Sequence, residues 1–459
     1  MAEMIDALRA LLPAGGLLTG EDVTARAAGW GLATPNRAMA IVRPRSTEDV
    51  AAVLRLAHQR GQPIVPLGGA TGLVQGGIAS EVEIHLSLEL MNRIEDLDPV
   101  NRVAVVQAGT PVQTVQDTVE AEGLFLPLDL GSRGSATIGG TISTNAGGNR
   151  VIRFGMMRDM VLGLEAVLAD GTVLSSLNRV LKNNAGYDLK QLFIGTEGTL
   201  GVVTRAVLRL RERPRSVATA LLAAESLAQV QALLKRVDSG LGGMLSAFEV
   251  MWNDFYRLVS TPPAASKPIL GQSFPYYIIV EAMGGAQDAD QERFEALLAG
   301  CIEDGLVSDA VIAKSEAERS AIWAMRDDVG QVLQMGRIFT FDVSMPITEI
   351  EGYVDAIRSA LTARWAEARQ VVFGHLGDGN IHVVVGVGST DGDTRHAVED
   401  IVYGALEGRR GSISAEHGIG MEKKAYLGLS RTREEIEVMR RLKQALDPQG
   451  ILNPGRIFD

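Results

Sequence analysis

The stretch from Leu126 to Asn149 limits what this chain can fold into more than any other. It opens as Leu126-Pro-Leu128-Asp-Leu130-Gly131-Ser-Arg-Gly134-Ser135 and runs on through Thr137-Ile138-Gly139-Gly140. It ends as Ser143-Thr144-Asn145-Ala-Gly147-Gly148-Asn149. Glycine alternates here with small hydroxyl and amide residues, as in a flexible linker. Leu126, Leu128, Leu130, Ile138 and Ile142 rule the linker out, because they need burial. A long, partly buried segment without regular structure must hydrogen-bond its backbone to something. Either it crosses a glycine-rich core, or a large polar cofactor lies across it.

A second glycine cluster follows a predicted strand at 63–66. It reads Pro66-Leu-Gly68-Gly69-Ala70-Thr71-Gly72-Leu73, then Gly76-Gly77. Backbone N–H groups in such a loop can approach a phosphate closely. Its glycine order matches neither a Walker loop nor GxGxxG. A mobile surface turn fits the residues equally well.

The chain has 459 residues, which predicts two or three domains. It is 46% hydrophobic and 22% charged, as soluble globular proteins are, and its net charge is −12. That charge argues against nucleic acid and anionic lipid as partners. Cys301 is the only cysteine, which excludes an internal disulfide, an iron–sulfur cluster and a CxxC pair. The N-terminus does not read as a secretory signal. No run of about 18 apolar residues suggests a membrane span. A cytoplasmic protein is expected, or one peripheral to a membrane through its electron acceptor.

Periodicity and punctuation predict helices at 2–12 and 47–61 and strands at 40–44 and 63–66. A hairpin at 162–176 should turn on Asp170-Gly171, with a strand at 205–210 and a boundary at Pro214. Beyond it, strands are predicted at 217–223, 276–282, 306–312 and 338–345. Helices are predicted at 226–238, 288–304, 315–334 and 348–366, with more at the C-terminus. This pattern implies a sheet with helices on one face.

The chemistry is expected at Gly374-His375-Leu-Gly-Asp-Gly-Asn-Ile-His382. β-Branched residues flank a Gly-Asp-Gly-Asn cluster, a hairpin signal. With the loop at 377–380, His375 faces His382 as a cross-strand partner, their Cβ atoms roughly 5 Å apart. Two imidazoles at that separation can bind one metal ion, and Glu416 offers a third ligand, leaving a position open for substrate. His417 would stand beside the metal as a free base. The plainer reading is two hairpin histidines bonded to backbone. Only His58, His85 and His396 lie outside this set.

These residues together resemble flavoproteins of the vanillyl-alcohol-oxidase type, in the branch of D-lactate dehydrogenases, glycolate oxidase subunits and D-2-hydroxyglutarate dehydrogenases. The likeness spans nearly the whole chain. It is carried by 68–72, 139–148, Gly195-Thr-Glu197-Gly198-Thr-Leu-Gly201, 374–382, Glu416-His417-Gly and Leu452-Asn453-Pro-Gly455.

The resemblance implies an α+β fold: a two-subdomain FAD domain at 1–215 and a substrate domain at 216–405, whose antiparallel sheet is covered by helices. A C-terminal helical segment at 406–459 would pack back on the FAD domain. The FAD pyrophosphate would lie on 66–73 and 134–148. Residues implied at the cofactor are Pro66, Gly68, Gly69, Ala70, Thr71, Gly72 and Leu73 in the first loop, then Leu128, Gly134, Ser135, Ile138, Gly139, Gly140, Ser143, Thr144, Asn145, Gly147 and Gly148. Glu197, Gly198, Gly201, Val202, Val203 and Asn453 complete the set. Some relatives attach flavin to a histidine in the first loop; none stands here, so non-covalent FAD is expected.

The resemblance and the hairpin argument converge on His375, His382 and Glu416 as ligands of a divalent metal, zinc first. The implied reaction is oxidation of a D-2-hydroxy acid to the 2-oxo acid. The metal would hold the carboxylate and hydroxyl, His417 would take the hydroxyl proton, and the hydride would pass to flavin. Electrons would leave to an unidentified acceptor: an electron-transfer flavoprotein, a quinone or a cytochrome. A homodimer is one possible assembly.

Arg326 matches an arginine the family uses for substrate carboxylate, and shares a predicted helix face with Trp323 and Gly330. Hydroxyglutarate enzymes typically carry threonine at Gly330, lysine at Thr340 and asparagine at Val384. Their loss here predicts a substrate tail less acidic or bulkier than that of hydroxyglutarate, with hydroxyglutarate as the alternative. A metallohydrolase without flavin and a non-catalytic flavin subunit are the remote alternatives.

Overall fold

The computed structural model describes residues 2–27, 29 and 35–458. They group into two units. One holds residues up to Gly147, Gly155–Arg213 and the chain from Glu416 onward; the other holds Gly148–Phe154 and Pro214–Ala415. The expected divisions differ from these: 148–154, 214–215 and 406–415 fall in the second unit.

In the first unit, the Ser46 hydroxyl accepts the Asp49 N–H and starts the helix Thr47–Arg60; Gly61, at φ 60°, ends it. This left-handed stop suits glycine, which has no Cβ to clash. The flanking strands Ala40–Val42 and Ile64–Leu67 both pair in parallel with Ile84–Ser87. A second, antiparallel sheet orders its strands Ile94–Asp98, Val103–Gln107, Val202–Arg209, Val161–Val167 and Val173–Ser176. The last two form the hairpin expected around Asp170-Gly171. Within the glycine-rich stretch a short helix, Ile138–Thr144, starts on Thr137 and stops at Asn145, at φ 51°. Leu126, Leu128, Ile138 and Ile142 are buried, as their hydrophobicity demands.

The second unit is built on one antiparallel sheet of seven strands. Their order is Asp309–Ile312, Ser216–Ala224, Tyr276–Gly284, Leu245–Trp252, Arg369–Gly374, Asn380–Gly386 and Ile338–Ser344. Leu245–Trp252, a strand the sequence did not predict, lies at its centre and is buried at every position. Both faces of a strand buried throughout must be covered. On one face, Met251, Phe373 and Val384 pack with Phe255 and Tyr256 of the helix Asn253–Ser260 and with Ile322 and Met325. The helix expected at 315–334 is α-helical only over Glu316–Asp327; a 3-10 segment, Val329–Met335, follows. The strand expected at 306–312 begins at Asp309.

Candidate active site

In the first unit a cavity of about 310 Å³ is lined by Pro66–Val74, Gly76 and Gly77, parts of 130–147, Glu197–Gly198, Gly201–Val203, Asn453, Glu416 and His417. That volume falls in the range of cofactor sites, about 300–1,000 Å³. The glycines of its wall are needed for contact between loops. A Cβ on Gly69 would stand 1.9 Å from the Ser135 carbonyl oxygen, and one on Gly139 would stand 2.7 Å from the Ala108 Cβ. Ala70, Glu197 and Asn453 hold φ at 53°, 51° and 46°. Such left-handed non-glycine residues are sparse and concentrate at ligand sites.

Asn453 supplies a second mark of a ligand. Its N–H donates to the Ile64 carbonyl at 2.8 Å and its Nδ2 to the Glu197 carbonyl at 2.6 Å, while its buried Oδ1 has no partner among the described residues. A buried acceptor without a donor is costly unless a ligand supplies one. A backbone-rich wall with that acceptor fits a large polar cofactor such as FAD.

Several expected wall residues lie elsewhere. Leu128 and Ile138 are core side chains. Ser135, and Gly134 beside it, stand behind the first loop, where the Ser135 carbonyl fills the space over Gly69. Asn145 spends its Oδ1 on the Arg158 N–H. Gly148 belongs to the second unit. Leu130, Gly131 and Ser132 line the cavity and lie outside the stretches expected at the cofactor.

Glu197, implied at the cofactor, lines the cavity, and its carboxylate accepts the N–H groups of Ile419 at 2.7 Å and Gly420 at 2.9 Å. Burial pushes its pKa up, and those two bonds pull against the rise. Glu197 therefore clamps the chain directly after Glu416-His417.

In the second unit the histidine hairpin differs from expectation in register. His382 pairs with Phe373, not with His375. The strand ends at Gly374, at φ 149°, where a Cβ would meet the Ile381 Cα at 2.9 Å. His375 then opens a 3-10 turn over Leu376–Asp378, and its carbonyl accepts the N–H groups of Asp378 and Asn380. The two imidazoles still meet, with Nε2 atoms 3.4 Å apart.

His375 Nδ1 lies 2.7 Å from Glu249 Oε1, and Arg326 Nε donates to Glu249 Oε2 at 2.8 Å. Glu249, Arg326 and His375 are 1%, 4% and 6% exposed. Arg326 is thus no solvated helix residue. Burial alone would raise the Glu249 pKa, but His375 and Arg326 hold it well below the ordinary carboxylate value. The Arg326 guanidinium also lies 4.9 Å over the Phe373 ring.

Asp342 is the register partner of His382, and it accepts Asn380 Nδ2 at 2.8 Å and the Ala415 N–H at 3.1 Å. Ala415 is the residue before Glu416. Thr340 is exposed opposite Val384, which is 2% exposed and packed among Phe373, Met325 and Val332. Gly330 sits exposed in the 3-10 segment, and a Cβ there would meet nothing within 4 Å.

Glu249 and Asp342 were not foreseen. Each is the one acid inside an apolar strand, and that isolation was the available signal.

The family described as "FAD binding domain" matches residues 38–176, and "FAD linked oxidases, C-terminal domain" matches 213–457. The mitochondrial D-2-hydroxyglutarate dehydrogenase of Bos taurus is 41% identical over 420 residues, covering 91% of this chain and 76% of that protein. A Schizosaccharomyces pombe protein provisionally named a mitochondrial D-lactate dehydrogenase is 36% identical, over 90% of this chain and 80% of its own. An alkyldihydroxyacetonephosphate synthase structure aligns with a TM-score of 0.78 at 17% identity, covering 99% of this chain and 84% of that one, and shares the fold. The chain therefore belongs to the FAD-linked oxidases, in the branch that contains the D-2-hydroxyglutarate dehydrogenases.

Proposed function

We propose that the chain oxidises a D-2-hydroxy acid to the 2-oxo acid, using non-covalent FAD and a divalent metal, zinc first, held by His375, His382 and Glu416. When bound, FAD supplies the hydride acceptor and the metal supplies a Lewis acid that makes the substrate hydroxyl more acidic. His417 takes the hydroxyl proton; an imidazole is a common general base, and the residue lines the cavity of the flavin loops. Arg326 binds substrate carboxylate through its Nη hydrogens, its Nε being committed to Glu249. The observation that carries the reading is the approach of His375 and His382 to 3.4 Å, nitrogen to nitrogen. Imidazole pairs joined by a carboxylate suit zinc.

Chelation tests it. Stripping the metal should remove activity while flavin absorbance stays with the protein, because His375 and His382 are remote in sequence from the flavin loops. Full activity in metal-free protein would overturn the ligand assignment.

For the substrate tail we infer a group less acidic or bulkier than that of hydroxyglutarate. Thr340 carries no charge where hydroxyglutarate enzymes typically have lysine, and Val384 presents no polar anchor. D-2-Hydroxyglutarate is the second reading, favoured by the 41% identity to the bovine enzyme and by the buried Arg326. The electron acceptor is an electron-transfer flavoprotein, quinone or cytochrome. No described helix is long and apolar enough to cross a membrane, and the bovine relative is named as mitochondrial.

A further inference from the structure

We propose that Glu249 is a positioning residue that sets both the tautomer of His375 and the plane of Arg326. One buried carboxylate would thereby couple the metal-binding imidazole to the substrate-binding guanidinium. The inference rests on the metal and substrate roles assigned above.

An ionised carboxylate only accepts hydrogen bonds. Both Glu249 oxygens are used, one by His375 Nδ1 and one by Arg326 Nε. His375 must then carry its proton on Nδ1, which makes Nε2 the acceptor nitrogen of the ring. That nitrogen is the atom facing His382 Nε2 at 3.4 Å. Carboxylate partners of this kind orient metal-ligating histidines and raise their basicity.

The second oxygen fixes Arg326. A guanidinium is planar, so a bond at Nε and a ring face 4.9 Å away leave its two Nη groups one direction. Glu249 also neutralises the buried cation, which otherwise would be strongly disfavoured.

The backbone gives Glu249 no freedom to adapt. It stands on the central strand Leu245–Trp252, where neighbouring Val250 pairs with Gly374 and Met251 with Phe373. The acid, the histidine turn and the aromatic ring under Arg326 are thus in register on adjacent strands. A Gln at 249 offers one acceptor and one donor, and so can serve only one of the two N–H groups.

The test uses the full chain with FAD bound, in three forms: wild type, Glu249→Gln, and Glu249→Met with Arg326→Met. The double variant removes the buried pair together, which is often neutral or stabilising, so it guards against a fold that fails for want of charge balance. Zinc affinity of the metal-stripped proteins is measured by competition with a chromophoric chelator. The His375 tautomer is read in the same metal-free proteins by 15N NMR of labelled histidine. Both variants should bind zinc about 10–100-fold more weakly. Glu249→Gln should also raise KM more than it lowers kcat, with flavin content unchanged. The Nδ1–H signature of His375 should be present in the wild type and lost in the double variant.

Unchanged zinc affinity in both variants would overturn the proposal, as would an Nε2–H tautomer in the wild type. If the wild type bound no zinc but showed the Nδ1–H tautomer, the metal reading would fall while the orientation of His375 by Glu249 stood.

Discussion

His85 shows how one buried side chain can make the first unit acid-sensitive. It is fully buried, with Nδ1 accepting from Asn36 Nδ2 at 3.1 Å and Nε2 donating to the Gly77 carbonyl at 2.9 Å. Burial lowers its pKa to about 4, against the opposing pull of the Gly77 bond. The unfolded imidazole takes up its proton below about pH 6.5, the folded one only near 4. The stabilisation is therefore full above about pH 6.5 and is lost as pH falls towards 4. The size is about 3 kcal/mol, since each tenfold change in proton affinity is worth about 1.4 kcal/mol. Urea unfolding at pH 7.5 and 5.0 should show about 2 kcal/mol of this drop in the wild type and a much smaller one in His85→Gln; equal drops would contradict it. At the proposed base, His417→Ala should lose about 10²- to 10⁴-fold in kcat, typical of general-base catalysis, with added zinc and flavin still bound. Loss of zinc instead would make His417 a ligand. His417 and the two hairpin histidines were legible because histidine is rare in this chain. Glu249 was not, since a carboxylate reveals its use only when its partners on other strands are known.

At the scale of elements, the glycines matter through the contacts they permit between loops. Gly69→Ala would force a Cβ into the Ser135 carbonyl, 1.9 Å away. The loops must then part, at a cost of about 1–3 kcal/mol by analogy with overpacked cores. The purified variant should carry less flavin per chain and melt earlier; normal flavin content would show that the two loops need not touch. The glycine clusters announced a cofactor cavity, yet could not say which glycine faces it. Gly134 reads in sequence as Gly131 does, but only Gly131 lines the wall. The histidine hairpin shows the same limit. A strand pattern fixes alternation, whereas register depends on where Gly374 ends the strand and the 3-10 turn begins. The missed strand Leu245–Trp252 is apolar but for Ser246 and Glu249 and lacks a clean period-2 alternation, so periodicity alone does not distinguish it from a buried helix.

At the scale of the whole molecule, the likeness across nearly the full chain made the fold class and the flavin legible. Pro214 was readable as a boundary, because proline and a change in glycine density coincide there. The passage of Gly148–Phe154 into the second unit was not, since no composition shift marks it; Val151–Phe154 packs on the strand Leu245–Trp252. The central claim is that this chain takes hydride from D-2-hydroxy acids onto its flavin, and it is most directly tested by flavin bleaching. The holoprotein would be mixed anaerobically with the D and L forms of lactate, malate, 2-hydroxyglutarate and longer or aromatic 2-hydroxy acids, then assayed with an artificial dye acceptor. The account predicts that D acids bleach the flavin and reduce the dye while L acids do not, with tails less acidic or bulkier than that of hydroxyglutarate giving the higher kcat/KM. A clear preference for D-2-hydroxyglutarate would overturn the tail assignment alone. Flavin left oxidised by every D acid, or bleached equally by the L forms, would contradict the function itself.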